Sequence, residues 1–239
     1  MCSIKWLKKI QSLVESNKSL VNAVSHELRT PVSRIEFNIE LARQSSGIEE
    51  RNRHLDHIES SIDELKALIN EMLLYARFDR DKPNFNMESV NIYDWLNAES
   101  KNWQNGESNI KIQIEVADKT RIVSIERYYM SRAVGNLIRN ALVFAKTTIL
   151  VSAQTRGTSF TLSVADDGPG IDYTDRSQVF EPFIRLDSSR NRDSGGTGLG
   201  LAIVKQILAW HSGQVWVEES ESGGAKFIAQ WPTNHQGDS

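Results

Sequence analysis

The chain has 239 residues, of which 39% are hydrophobic and 25% charged, and its formal net charge is -3. This composition is typical of a folded protein of one or two domains. It lacks the strongly basic character of dedicated nucleic-acid binders, so no nucleic-acid partner is expected. The single cysteine, Cys2, excludes an internal disulfide framework and suits a reducing compartment.

No stretch of the sequence resembles a signal peptide or a transmembrane helix. The longest largely apolar stretch, residues 198–210, is interrupted by Lys205 and Gln206 and is too short to span a bilayer. If the whole protein is bound to a membrane, its anchor is expected outside this sequence.

Residues 1–80 have the pattern of two long helices. Apolar residues recur at steps of three or four through residues 10–24 and 32–42. Residues 45–47 interrupt the pattern and predict a turn, after which a second stripe runs through residues 55–76. The result is a predicted helical hairpin. Because one hairpin buries little of its apolar stripe, two copies are expected to pair as a homodimeric four-helix bundle.

The segment 81–86 is predicted to be a linker because it contains Pro83 and several polar residues. In residues 87–239 the pattern of apolar residues changes, which predicts a second domain. Strand patterns occupy residues 110–116, 122–125, 148–153, 160–165, 215–218 and 226–231, and helical patterns lie near 93–102, 127–145 and 199–210. Such mixing predicts a two-layer α/β sandwich, and the chain as a whole is therefore predicted to be α+β.

The first candidate catalytic motif is SHELRTP, residues 25–31, within the first predicted helix. The apolar stripe avoids His26, so its imidazole is expected to face solvent, where a neutral ring nitrogen can act as a nucleophile. Glu27 can orient the ring and accept the proton of the other nitrogen. Thr30 lies one turn further on the same face. Taken by itself, an exposed histidine on a helix is usually only solvated.

The second motif is NLIRNA, which begins at Asn136. Asn136 and Asn140 are four residues apart and share a helix face, where amide oxygens can ligate Mg²⁺. Two solvated polar side chains would be the plainer interpretation of this segment by itself.

The third motif is DDGPG, which follows a predicted strand directly. The carboxylate of Asp166 can accept a hydrogen bond from an exocyclic amine such as that of adenine. Gly168 and Gly170 allow the backbone to approach a flat ring closely. An ordinary turn explains the same residues equally well.

The fourth motif is glycine-rich, GGTGLGL at residues 195–201, and it leads into a predicted helix. Free N–H groups and the helix dipole favour a phosphate there. The motif matches neither a Walker A loop nor a G-x-G-x-x-G fingerprint. Before it lie VFEPFIR, residues 179–185, and a polar stretch, residues 187–194, which predict a mobile lid over a nucleotide. Arg185 can reach a phosphate.

Together these motifs resemble those of the histidine kinase family. SHELRTP is similar to the H-box, NLIRNA to the N-box, DDGPG to the G1 box, VFEPFIR to the F-box and GGTGLGLAIV to the G2 box. They occur in the order of the family, and the resemblance covers about residues 10–235.

The resemblance implies a hairpin for dimerisation and phosphotransfer, followed by an ATP-binding domain of the Bergerat type that DNA gyrase, Hsp90 chaperones and MutL share. It implies that His26 accepts phosphate from ATP, that Glu27 is its base, and that Thr30 positions water for dephosphorylating the partner. The implied partner is the receiver domain of a response regulator. The implied location is the cytoplasmic side of a bacterial inner membrane, with the anchor outside this chain.

The implied cofactors are ATP and Mg²⁺. Asn140 resembles the Mg²⁺ ligand and Asn136 its supporting neighbour, while Asp166 resembles the acid that recognises adenine. Gly168 and Gly170 resemble the glycines that support this acid. The residues that resemble the lid and phosphate contacts are Arg185, Gly196, Thr197, Gly198, Leu199 and Gly200.

The chain departs from the family after the N-box, where a basic residue and a tyrosine are usual. Val143 and Phe144 stand there. Phe144 can pack on adenine through its ring face. Val143 cannot contact a phosphate, and Lys146 is a candidate substitute from the next turn.

Two alternatives stay open on the sequence. One is a nucleotide-binding ATPase of the gyrase or MutL type, although such enzymes carry a glutamate where this chain has Asn136. The other is a catalytically weak dimeric scaffold, for which Val143 argues.

Overall fold

The computed structural model describes residues 2–78, 86–103, 109–186 and 198–233. The chain divides into two compact units, Met1–Leu74 and Tyr75–Ser239. The predicted linker, 81–86, lies outside the described residues except at its last position, so the predicted domain boundaries stay a prediction. In the described part of the chain, no helix is long and apolar enough to cross a membrane.

The first unit is built from α1 (Cys2–Gln44) and all but the last turn of α2 (Ile48–Phe78), which confirms the predicted hairpin. Helix α1 continues through Pro31. It ends where both the amide and the hydroxyl of Ser45 donate to the carbonyl of Leu41, at 3.0 and 2.8 Å. Ser and Gly in the connection favour such a turn, because hydroxyls bond the local backbone and Gly47 carries no side chain.

Polar side chains connect the two helices of the hairpin. A guanidinium nitrogen of Arg34 lies 3.2 Å from a carboxylate oxygen of Glu64. Further toward the turn, Nδ1 of His54 is 3.1 Å from Oδ1 of Asn38. These contacts hold the helices in register at the surface.

The second unit contains seven strands and three α-helices in its described part. They are β1 (Met87–Asn91), α3 (Ile92–Trp103), β2 (Lys111–Val116), β3 (Ile122–Glu126), α4 (Arg127–Phe144), β4 (Thr148–Arg156), β5 (Ser159–Asp166), α5 (Gly200–Trp210), β6 (Gln214–Glu219) and β7 (Ala225–Pro232). A short 3₁₀ helix spans Gln178–Phe180. Strand β1 and the 3₁₀ helix were not among the predicted elements.

The strands form two sheets. Five of them lie in the order β2-β4-β5-β7-β6, and β1 pairs with β3 in a separate ribbon. Only β2 and β4 run parallel, and every other neighbouring pair is antiparallel. Alternate residues of the central strands are buried, such as Val151 and Val164, and they form a core with the apolar faces of α4 and α5. The predicted two-layer sandwich is confirmed.

Two polar contacts tie α4 to α5 at opposite ends. Near the start of α4, the amide of Glu126 donates to Nε2 of the buried His211 at 3.0 Å. Nδ1 of His211 in turn donates to the carbonyl of Ile207 at 2.8 Å, so both ring nitrogens are used. At the start of α5, Nδ2 of Asn136, midway along α4, donates to the carbonyl of Gly200 at 3.0 Å. The first contact thus holds the end of α5, and the second holds its start.

Candidate functional site

The candidate phosphoacceptor lies on α1 and faces solvent. The side chain of His26 is 77% exposed, as its place off the apolar stripe predicts. Its Nδ1 lies 3.9 Å from Oε1 of Glu27, which is too long for a hydrogen bond but within reach of a small rotation. Thr30 is also exposed. A nucleophile and a base are therefore adjacent here, and their roles stay predictions.

The second cluster centres on Asp166, at the end of β5, which is 1% exposed. Its Oδ1 accepts hydrogen bonds from the amides of Gly168 and Ala225, at 2.8 and 3.1 Å. Its Oδ2 is buried and has no hydrogen-bond partner among the described residues. Burial raises the pKa of this carboxyl. Buried polar atoms normally have partners, so this oxygen fits a donor supplied by a ligand, such as the exocyclic amine of adenine.

Glycines make room around this carboxylate. A Cβ on Gly168 would lie 2.5 Å from the carbonyl oxygen of Phe144, at the end of α4. Gly170 has a φ of +75°, which side chains rarely adopt. The predicted importance of both glycines therefore has a steric reason, and the loop after β5 packs directly on the end of α4.

The turn between β6 and β7 also supports Asp166, and this contact was not predicted from the sequence. Ser222 donates its hydroxyl to the carbonyl of Asp166 at 3.0 Å. A Cβ on Gly224 would lie 2.3 Å from that carbonyl oxygen. The pair Gly223-Gly224 marks the turn in the sequence, but nothing local connects it to a residue more than 50 positions earlier.

The neighbouring Asp167 has a structural role. Its carboxylate accepts hydrogen bonds from the amides of Lys146, Thr147 and Thr148, the first at 2.7 Å. It also accepts one from the hydroxyl of Thr147. These bonds hold the pKa of Asp167 far below its usual range, the Thr147 hydroxyl contributing most. Asp167 thus ties the start of β4 to the loop after β5.

This bonding pattern predicts an acid-dependent stability contribution from Asp167. A carboxylate whose pKa is lower in the folded chain stabilises the fold above its unfolded pKa, about 3.9, and loses that contribution as pH falls further. We expect Asp167→Asn to lower the melting temperature at pH 7, and the difference from wild type to shrink below about pH 4. Thermal unfolding from pH 7 to pH 3 measures this, and a constant difference across that range would contradict it.

The asparagines of the N-box-like motif have different environments. Asn136 is 4% exposed, and its Oδ1 accepts a hydrogen bond from Nη2 of Arg139 while its Nδ2 bonds Gly200. Asn140 is partly exposed one turn further along the same face. The described residues contain no group of three or more His, Cys, Asp or Glu side chains suited to a metal ion. An amide oxygen of Asn140, with phosphate oxygens and water, fits what Mg²⁺ requires.

The residues that depart from the family lie at the exposed end of α4. Val143 and Phe144 are 37% and 41% exposed. The ring of Phe144 is therefore accessible to a flat ligand, as its predicted role requires, and Val143 offers only an aliphatic surface.

The predicted phosphate segment is described only in part. Gly196, Thr197 and residues 187–194 lie outside the described residues, and Arg185 is exposed at the end of the preceding segment. The amide of Phe183 donates to the carbonyl of Gly198 at 2.8 Å, and both residues have positive φ angles, 62° and 68°. Leu199 is buried and Gly200 opens α5. The first turn of α5 is thereby held against the segment that precedes the predicted lid.

Two parts of the chain match known protein families. Residues 16–81 match the His Kinase A (phospho-acceptor) domain, and residues 126–235 match the histidine kinase-, DNA gyrase B- and HSP90-like ATPase family. The chain belongs to the sensor histidine kinase family. The predicted resemblance is thus confirmed, and the ATPase family match lies within the second unit.

Individual relatives agree with this family. The sensor protein RstB of Escherichia coli K12 is 37% identical over 95% of this chain and 51% of its own length. The sensor histidine kinase CpxA of the same strain is 32% identical over 93% of this chain and 48% of its own length. The chain thus spans about half the length of these relatives. The crystal structure of full-length ShkA in complex with AMPPNP has a TM-score of 0.68 and 27% identity, over 90% of this chain and 45% of that one.

Proposed function

We propose that the protein is a sensor histidine kinase that transfers the γ-phosphoryl group of ATP to a ring nitrogen of His26. The observation that carries the proposal is the buried Asp166, whose second carboxylate oxygen has no partner among the described residues. It occurs in one chain with an exposed imidazole in the phosphoacceptor domain. A nucleotide site and a phosphate acceptor are the two parts that the reaction needs.

The proposed step is a direct displacement. A ring nitrogen of His26 attacks the γ-phosphorus, an N–P bond forms, the bond to the oxygen that bridges the β- and γ-phosphorus breaks, and ADP leaves. Glu27 accepts the proton of the other ring nitrogen. Asn140 would hold Mg²⁺, which supplies neutralising charge to the phosphates. Arg185 and the segment Gly196–Gly200 hold the phosphate tail through charge and backbone N–H groups.

We further propose that adenine lies between Asp166 and the ring of Phe144. The unpartnered Oδ2 accepts its amine, while Gly168 and Gly170 leave room for the base. Asn136 supports the site by holding the start of α5, at 3.0 Å from its Nδ2 to the carbonyl of Gly200.

A homodimer is supported by the surface of the hairpin. Large apolar side chains of α1 and α2 are exposed in the single chain, namely Val32, Ile39, Ile48, Leu55, Ile62, Ile69 and Leu73. So many exposed apolar groups on one small unit mark an association surface. Sedimentation of the purified chain tests this, because a monomer at micromolar concentration would argue against a bundle.

The proposed partner is the receiver domain of a response regulator, which takes the phosphoryl group onto an aspartate. Helical spacing places His26, Thr30 and Phe37 on one face of α1, and Phe37 is 65% exposed. Beside it lies the Arg34–Glu64 ion pair. Recognition is proposed to use Arg34, Asn38 and Glu64. Exchanging them for those of another kinase without changing which regulator is phosphorylated would contradict this.

Thr30 is proposed to position water for removal of phosphate from that regulator. The whole protein is proposed to be anchored in a bacterial inner membrane through a part outside this chain, with the two units on the cytoplasmic side.

Radiolabelled ATP tests the proposed reaction. Wild type should acquire acid-labile, alkali-stable label, and His26→Gln should acquire none, because the nucleophile is gone. His57→Gln is the matched control, since His57 is an exposed histidine of the other helix and should leave labelling unchanged. Release of free phosphate with no labelled protein would instead favour an ATPase of the gyrase or MutL type.

A further inference from the structure

Four side chains lie on one face of α4. Asn136, Arg139, Asn140 and Val143 follow the spacing i, i+3, i+4, i+7, which places them in one stripe. Asn136 is buried, Asn140 is partly exposed, and Arg139 and Val143 are exposed. Arg139 is the cation of this stripe, one helical turn before the aliphatic Val143.

Hydrogen bonds aim Arg139 at the start of α5. Nη2 of Arg139 donates to Oδ1 of Asn136, and Nδ2 of Asn136 donates to the carbonyl of Gly200 at 3.0 Å. A guanidinium has donors only, so it requires the oxygen of the amide, and the nitrogen must then face the carbonyl. This relay fixes the guanidinium two hydrogen bonds away from the first residue of α5.

We propose that Arg139 binds the phosphate tail of the nucleotide through its guanidinium. The proposal rests on the function proposed above. A triphosphate carries several negative charges, and the N–H groups at the start of α5 neutralise only part of them. A planar guanidinium bonds two phosphate oxygens at once. The relay through Asn136 places that cation beside the helix end where the tail lies, at the turn of α4 where Val143 supplies no charge.

The test compares ATP with adenosine, which has the base but no phosphate. Arg139→Gln keeps a donor for Asn136 but loses the charge, and Arg139→Lys keeps the charge. Calorimetric titration should show ATP affinity reduced by about 10-fold in Arg139→Gln, as expected for losing a charged hydrogen bond. Adenosine affinity should change less than about twofold, and Arg139→Lys should recover most of the ATP affinity. Added salt should weaken ATP binding more in wild type than in Arg139→Gln.

A matched control lies on the same helix. Arg132→Gln removes a charge two turns earlier, where Arg132 lines a groove of about 520 Å³ with Glu88 and Tyr128, and it should leave both affinities unchanged. Unchanged ATP affinity in Arg139→Gln would overturn the proposal. An equal loss for adenosine would also overturn it, because Arg139 would then act only by supporting Asn136.

Failure of the proposed function gives a different result. If wild type binds ATP but His26 never acquires phosphate, the kinase reaction is refuted. The dependence of ATP affinity on the charge of residue 139 still decides the role of Arg139.

Discussion

Asp166→Asn is expected to weaken ATP binding about 100-fold, since a hydrogen bond to a charged acceptor is worth up to about 3 kcal/mol. In the wild type, Oδ2 is buried and has no hydrogen-bond partner among the described residues, and adenine is proposed to supply the missing donor. In the variant, an NH₂ group would occupy one of the two carboxylate positions. Because the other position can still accept from the amides of Gly168 and Ala225, the fold should survive.

The measurement pairs calorimetry with thermal unfolding. The melting temperature without nucleotide should change little, because burial raises the pKa of this carboxyl and its charge does not favour the folded state. The increase in melting temperature on adding ATP should disappear. Asp172→Asn, which alters an exposed carboxylate nearby, should behave as wild type. Near-normal ATP affinity in Asp166→Asn would mean that this acid does not recognise the base.

Gly224→Ala is the second substitution with a large expected effect. Its Cβ would lie 2.3 Å from the carbonyl oxygen of Asp166, 2.4 Å from its Oδ1 and 2.6 Å from the amide nitrogen of Gly168. Two of these atoms belong to the backbone and cannot rotate away, so the turn between β6 and β7 must shift. We expect roughly 3 kcal/mol of destabilisation, as for severe overpacking, and loss of ATP binding.

A glycine without crowding provides the comparison. Gly135 lies within α4, and a Cβ there would meet nothing within 4 Å. Gly135→Ala should therefore stabilise the protein by about 0.5–1 kcal/mol, because alanine favours helices. Denaturant unfolding of both variants measures the difference. If Gly224→Ala proves as stable as wild type, the close approach at Asp166 is not required for the fold.

Periodicity was enough to predict the elements that bury a regular apolar face. The two helices of the hairpin and six of the strands follow such patterns, and the exposure of His26 follows from its place off the stripe. Strand β1 was missed because it has five residues, and its burial pattern does not alternate. The order of the strands depends on tertiary pairing, which no local pattern encodes.

Asp166 and Asp167 show where local pattern fails within the site. They are neighbours of the same type, yet burial raises the pKa of one and hydrogen bonds lower that of the other. The difference comes from the burial of Asp166 in the packed fold and from the hydrogen bonds that Asp167 accepts from Thr147, which is far away in the sequence. Asn136 is similar: spacing placed it beside the predicted metal ligand Asn140, whereas its contact with Gly200 depends on the packing of α5.

In the proposed reaction, the imidazole of His26 receives phosphate from a nucleotide bound by the second unit. The most direct measurement is mass spectrometry of peptides from wild type incubated with Mg²⁺ and ATP, kept at alkaline pH to preserve N–P bonds. One added phosphate is expected on the peptide that contains His26, and none in Asp166→Asn. Phosphate on another residue, or on none under any activating condition, would contradict it.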